Sequence, residues 1–339
     1  MDSPNFYALP YEVQVGQLAQ AGRKALLEWP QVWSLGRLIK FRENAVFEIN
    51  APGERAVLRI HRPGYHDDQA LMSELIWMHA LSHAGIPVPE LVPAADGELS
   101  VALRSGPLPE TRRFDVLRWI DGAPLSDIED RANFRQIYFD AGALAARLHN
   151  HSRSWKAPAN FSRPSWDADG LAGVTPLWGA FDTLAALTHE ERDLLVAARS
   201  RALQDLAEMG QAKERYGLIH ADFVPENLIF GPDGLKLIDF DDCGFGWHMF
   251  ELATALFFQY SRPDFEELKS SLLAGYRSVR RLPDKDRDKL VLFLVLRSFT
   301  YLGWVGTRPE TETARELTPF LISQACLLAK EYLHEPAVP

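Results

Sequence analysis

The sequence predicts an α+β protein of two lobes, a strand-rich one over residues 1–120 and a larger helical one over residues 121–339. Three observations predict it. Short apolar runs of strand character occupy most of residues 38–120, with one helix among them. A helical period of about 3.6 residues dominates after Asn133. Between the two, Gly122-Ala123-Pro124 interrupts the chain.

The elements follow in order. Residues 38–41 and 46–49 read as strands around the turn Arg42-Glu43-Asn44-Ala45. Ala51-Pro52-Gly53-Glu54 is a stronger turn signal, because glycine and proline punctuate regular structure. Residues 56–61 alternate, with Val57 and Arg59 on one face and Leu58 and Ile60 on the other. Residues 68–83 have helical spacing through Leu71, Leu75, Met78 and Leu81, and Gly85 with Pro87 stops them. Residues 90–103 read as a hairpin about Ala95-Asp96-Gly97, and 114–120 as one more strand. Beyond Pro124, helices are expected over 133–151 and over 188–209, the latter capped by Thr188. Residues 157–179, rich in Trp, Pro, Gly and Asp, read as irregular. Two short strands flank Gly231-Pro232-Asp233-Gly234, and the chain after His248 is mainly helical, ending in 284–303 and 311–333.

Composition bounds the function. The 339 residues are 47% hydrophobic and 24% charged, ordinary for a globular chain, with a formal net charge of −10. That acidic balance argues against nucleic acid and anionic membrane surfaces as partners. Two cysteines, Cys243 and Cys326, are too few for a disulfide framework. The first residues lack a signal-peptide pattern, and the apolar run 290–296 reads as a buried helix, too short to span a bilayer. A cytoplasmic location is the expectation.

The chemistry is concentrated in His220-Ala221-Asp222-Phe223-Val224-Pro225-Glu226-Asn227 and in Ile238-Asp239-Phe240-Asp241. Asp222, Asn227 and Asp239 stand in the order and spacing used for phosphoryl transfer. In that chemistry one carboxylate takes the proton of an attacking hydroxyl, and an amide oxygen with a second carboxylate holds magnesium on a triphosphate. Asp222 is therefore the expected catalytic base, and Asn227 and Asp239 the expected metal ligands. Asp241 is a weaker second metal candidate, and Asp242 is expected to hydrogen-bond within the loop.

Together these segments resemble the protein-kinase-like fold, and within it the aminoglycoside phosphotransferase superfamily, which includes aminoglycoside, choline, homoserine and methylthioribose kinases and stress response kinase A. The likeness runs from about residue 35 to 305. It implies ATP and Mg2+ as cofactors and a hydroxyl on a small molecule (an amino alcohol, a sugar or an aminoglycoside) as phosphoryl acceptor. It also implies a set of roles. Arg59, in Arg59-Ile60-His61-Arg62-Pro63, stands where most kinases carry a third-strand lysine and would grip the α- and β-phosphates, paired with Glu74 on the next helix. Asn44 matches the asparagine that the family often carries in the nucleotide turn, where it tolerates left-handed backbone geometry. Adenine is expected between the lobes, below Val57, above Ile229, and against a hinge at residues 118–121 that includes Trp119. His220 would brace the loop, and Glu251 would anchor its backbone. The acceptor is expected near residues 161–178, where Trp166 and Trp178, with Trp155, Asp167 and Asp169, could line a pocket or pin a loop. Two alternatives stay open: a serine/threonine protein kinase resembling stress response kinase A, and a nucleotide-binding pseudokinase, which the missing glycine and lysine of the first lobe favour. The acceptor and the oligomeric state are not legible.

Overall fold

The computed structural model describes residues 6–42, 44–105, 108 and 110–334. The chain divides into two compact units, Met1–Gly122 with Ala157–Ser162, and Ala123–Lys156 with Arg163–Pro339. The first is a sheet with two helices and the second is mainly helical, an α+β arrangement.

The first unit begins with α1 (Tyr11–Ala25), followed by β1 (Ser34–Phe41), β2 (Ala45–Ala51), β3 (Glu54–Ile60), α2 (Asp68–His83), β4 (Leu91–Val92), β5 (Val101–Arg104) and β6 (Thr111–Arg118). The sheet order is β1-β2-β3-β6-β4, with β5 also on β6, and every pairing is antiparallel. Alternation along β3 decides which face is core. Ala56, Leu58 and Ile60 are fully buried against α1, with Leu18, Ala21 and Ala25 in the same core, while Val57 is half-buried on the opposite face. Gly22 lets α1 approach, since a Cβ there would meet Leu58 Cδ2 at 3.0 Å.

Two expectations are corrected here. The first third holds two helices, not one. The buried stripe of α1 is Leu18, Ala21, Gly22 and Ala25, so small that its period is faint in the sequence. The expected hairpin over 90–103 does not form either. Its two strands each pair with β6, Leu91 with Leu117 and Val101 with Phe114, because β6 is long enough to accept both along one edge.

The second unit comprises β7 (Ala123–Pro124), α3 (Phe134–Ser154), β8 (Ser165–Trp166), α4 (Ala168–Ala172), α5 (His189–Met209), β9 (Tyr216–Ile219), β10 (Leu228–Gly231), β11 (Gly234–Leu237), β12 (Gly244–Trp247), α6 (His248–Leu256), α7 (Phe265–Val279), α8 (Asp284–Arg287), α9 (Leu290–Gly306) and α10 (Glu312–His334). Thr188 closes a reciprocal capping box with Glu191 at the start of α5. Helices α3 and α7 touch backbone to backbone at Gly142 and Gly275, where an added Cβ would lie 1.9 Å from Leu272 O and 1.8 Å from Phe139 O. By length and composition alone the stretch Asp284–Gly306 could cross a membrane, but most of it is buried inside the unit, and the apolar run 290–296 lies in the buried helix α9. It carries a fully buried cation at its centre, Arg297.

Candidate functional site

In the second unit, β9 delivers the chain to His220, one turn of 3-10 helix at Pro225–Asn227 follows, and the β10–β11 hairpin returns it to Asp239. The Ile238 amide donates to Asn227 O at 2.9 Å, which ties the two motif segments together. Ala221 and Asp239 adopt left-handed backbone, φ 65° and 66°, uncommon for residues with a side chain. Ala221 is held there from both sides. Its N–H donates to Glu251 Oε2 at 2.8 Å, and its carbonyl accepts from Arg297 Nη1 at 3.1 Å.

Asp222 is fixed by two donors. Arg297 Nη2 lies 2.6 Å from Oδ1, and Asn227 Nδ2 donates to Oδ2 at 2.8 Å. The same Nδ2 donates to Asp222 O at 2.9 Å, so both amide hydrogens of Asn227 point at Asp222. The amide oxygen of Asn227 therefore faces away from Asp222 and is available as a hard ligand. The buried guanidinium of Arg297 also bonds Tyr301 Oη at 2.9 Å and lies over the Trp178 and Tyr301 rings at 4.8 and 4.3 Å. Burial opposes its charge, but Tyr301 and Asp222 outweigh that and keep it protonated.

His220 braces the loop. Its Nε2–H donates to Ile238 O at 3.0 Å and its Nδ1 accepts from the Asp222 amide at 3.2 Å, which defines one tautomer. Glu251 occupies the anchoring position with both oxygens, accepting from the His220 amide at 3.0 Å as well as from Ala221. Burial raises its pKa, against the opposing pull of His220 and these amides. His149 and His248 stack behind it at 4.1 Å, and burial drives both toward the neutral form.

The aromatic segment is mostly wall. Trp166 is buried and donates to Asp242 O at 2.8 Å, and Trp178 donates to Asp242 Oδ1 at 3.2 Å while meeting Trp166 edge to face. Asp167 caps α4 through the Gly170 amide, and Trp155 stacks on His151. Burial, then the charges of Asp222 and Asp239, push the Asp242 carboxyl up to about 7, although Trp178 and Arg297 pull it down. Asp239 and the outward amide oxygen of Asn227 are both oxygen donors of the kind a hard divalent cation takes. Among the described residues no three His, Cys, Asp or Glu side chains form a metal site by themselves.

The first unit holds a second buried charge group. Arg59 Nη1 lies 2.8 Å from Glu74 Oε1, so these two predicted residues are joined. Asp115, directly across the ladder from Arg59, takes Nε at 2.8 Å and Nη2 at 3.1 Å, and His61 also bonds it. Burial would raise the Asp115 carboxyl, but Arg59 and His61 prevail and hold it at about 2. Arg59 is thus a shared cation between two carboxylates rather than half of a simple pair.

Asn44 Oδ1 accepts from the Arg62 amide at 3.1 Å, and Glu43 beside it lies outside the described residues. At the expected hinge, residues 118–121, two amides are engaged within the first unit. Arg118 N–H donates to Glu90 O and Trp119 N–H to Arg55 O, with the Arg55 guanidinium 3.5 Å above the Trp119 ring, so neither amide is directed at a ligand. Val57 and Trp119 belong to the first unit, Ile229 to the second, where it is nearly buried in β10.

Arg297 and Asp115 were not found by sequence reasoning. A signal for Arg297 was present, as the lone charge in the apolar run 290–302. Asp115 likewise interrupts the apolar residues Phe114, Val116 and Leu117.

Known proteins resemble this chain throughout. The model of the "phosphotransferase enzyme family" matches residues 37–290. The structure of a microcompartment-associated aminopropanol kinase is 32% identical, with a TM-score of 0.81 over 95% of this chain and 97% of its own. Amicoumacin kinases are similar too. That of Bacillus subtilis (strain 168) is 22% identical over 223 residues, 65% of this chain and 62% of that protein. The structure of hAmiN, in complex with AMP-PNP, Ca2+ and Ami, has a TM-score of 0.74 at 20% identity over 95% of this chain and 96% of its own. The homoserine kinase of Rhizobium meliloti (strain 1021) is 26% identical over 332 residues, 91% of this chain and 94% of its own.

Proposed function

We infer the reaction from one premise: the chain belongs to the phosphotransferase enzyme family, with a protein-kinase-like fold. The reading supported best is transfer of the γ-phosphoryl group of ATP to the hydroxyl of a small amino alcohol. The observation that carries it is the fixed Asp222 carboxylate, with the Asn227 amide oxygen turned outward beside it. The amino-alcohol class is favoured by likeness to an aminopropanol kinase and a homoserine kinase.

Asp222 orients the acceptor hydroxyl and takes its proton as the new O–P bond forms and the bond to the ADP oxygen breaks. Arg297 and Asn227 hold Asp222 in one rotamer, which preserves the attack geometry. Asn227 Oδ1 and Asp239 would hold a divalent cation, Mg2+ being the expectation. When bound, the ion neutralises charge on the transferring phosphate oxygens. Arg59, positioned by Glu74 and Asp115, is the phosphate contact assigned to the first unit.

An ADP-release screen over amino alcohols, sugars, aminoglycosides and Ser/Thr peptides tests this reading. Amino alcohols should give the highest kcat/KM, and Asp222→Ala and Asp239→Ala should each reduce it at least a hundredfold. Preference for peptides would overturn the small-molecule reading. ATP binding without transfer to any acceptor would favour a pseudokinase.

A further inference from the structure

We propose that the second unit carries a binding site for a small phosphorylated anion in the basic cavity where α3, α7 and the entry to β9 meet. The cavity measures about 600 Å³, within the roughly 300–1,000 Å³ typical of small-molecule sites. None of its lining residues belongs to the Asp222 loop or to the Asp239 segment.

The charge balance carries the argument. Five cationic side chains line the cavity, Arg153, Arg215, Arg280, Arg281 and Lys285, against two carboxylates, Glu214 and Asp286. Both carboxylates are already paired, Glu214 with Arg153 at 3.4 Å and Asp286 with Arg215 at 3.5 Å. Arg280 is 8% exposed and bonds neutral oxygens, Asn150 Oδ1 at 2.7 Å and Glu214 O at 3.0 Å. Arg281 and Lys285 are exposed and make no side-chain hydrogen bond or ion pair among the described residues. Three cations therefore face one cavity without a carboxylate partner, in a chain whose net charge is −10. Like charges so gathered repel, and a multiply charged anion relieves that repulsion. Guanidinium groups suit phosphate, since two N–H groups of one plane can grip two of its oxygens. A concave site of this volume admits a phosphorylated metabolite, whereas a membrane surface would need a convex or flat basic face.

The position has a consequence. Glu214 and Arg215 lead directly into β9 and so to His220. Arg280 bonds Glu214 O, and the His248 amide donates to Arg215 O at 2.8 Å. An anion drawn onto Arg280 and Arg215 pulls on the root of the loop that carries Asp222.

Equilibrium dialysis of the full chain against labelled inorganic pyrophosphate, at fixed ionic strength with EDTA present, tests the proposal. The expected result is saturable binding, retained in Asp239→Ala and weakened at least tenfold in Arg281→Glu/Lys285→Glu. If that double variant does not fold, as judged by its circular dichroism melt, Arg281→Gln/Lys285→Gln replaces it and should weaken binding at least threefold. Absence of saturable binding to the unaltered chain at millimolar pyrophosphate would overturn the proposal. Unchanged affinity in the cavity variant would do so too, as would loss of binding in Asp239→Ala, which would place the anion in the phosphotransfer site.

Discussion

At the scale of single residues, Arg297 governs the candidate site. It sits in the middle of the apolar helix α9 and is fully buried, yet it bonds Asp222, Ala221 O and Tyr301 at once. Removing one partner of a buried ion pair typically costs about 3–5 kcal/mol. Asp222 keeps 21% of its side chain in solvent, so Arg297→Met should cost less, about 2 kcal/mol in urea denaturation. Its kcat should fall more than tenfold, since the carboxylate loses a fixed orientation. An unchanged kcat would remove Arg297 from the positioning role. Asp115 gives a pH test. Its folded pKa of about 2 lies below the ordinary carboxylate value of 3.8, so its contribution is fully present above pH 4 and is lost as pH falls through 2. By linkage, between pH 6 and pH 3 the native chain should lose about 1 kcal/mol more unfolding free energy than Asp115→Asn. Equal slopes in acid denaturation would refute the Arg59–Asp115 assignment. These two residues also mark the limit of reading the site from sequence. Asp222, Asn227 and Asp239 lie within one short stretch whose spacing already fixes their neighbourhood. Arg297 is 75 residues from Asp222 and Asp115 is 56 from Arg59, so helix packing and strand register bring them in; each breaks an apolar run, which marks a buried charge but not its partner.

Among the elements, legibility followed the size of the buried side chains. Helix α2 spans Asp68–His83, the bounds its leucines and methionine predict. The capping box at Thr188 was legible from the residue that begins it, and Thr188→Ala should cost about 1 kcal/mol in thermal or urea unfolding. Helix α1 was missed because its stripe is alanine, glycine and one leucine, and the 90–103 hairpin was misread because edge pairing to β6 depends on strands still to come in the chain. The α3–α7 contact depends on an absence of side chain, which no hydrophobic pattern reveals. At Gly275 a Cβ would stand 1.8 Å from a backbone carbonyl with no flexible atom to yield. Gly275→Ala must therefore separate the helices, at a cost of about 3 kcal/mol, whereas Gly16→Ala, with open space around it, should be neutral or slightly stabilising. Comparable melting temperatures for the two variants would contradict the close approach.

For the whole molecule, charge sets the terms on which it can meet a nucleotide. The chain carries −10, and burial, then the charges of Asp222 and Asp239, push the Asp242 carboxyl up to about 7. A triphosphate adds several negative charges to that neighbourhood, and like charges a few ångströms apart repel by several kcal/mol in a partly buried site. A divalent cation at Asn227 and Asp239 would reverse the local sign, so binding and chemistry should both require it. AMP-PNP at saturating concentration with MgCl2 should raise the melting temperature by several degrees, as a ligand at about 100 times its Kd adds about 2.7 kcal/mol. With EDTA the shift should nearly vanish, and in Asp239→Ala it should be small whether or not MgCl2 is present. ADP release should fall to background on chelation and return when Mg2+ is added in excess. A full thermal shift with AMP-PNP in EDTA would mean that the nucleotide's charge is met elsewhere, and the metal assignment to Asn227 and Asp239 would fail.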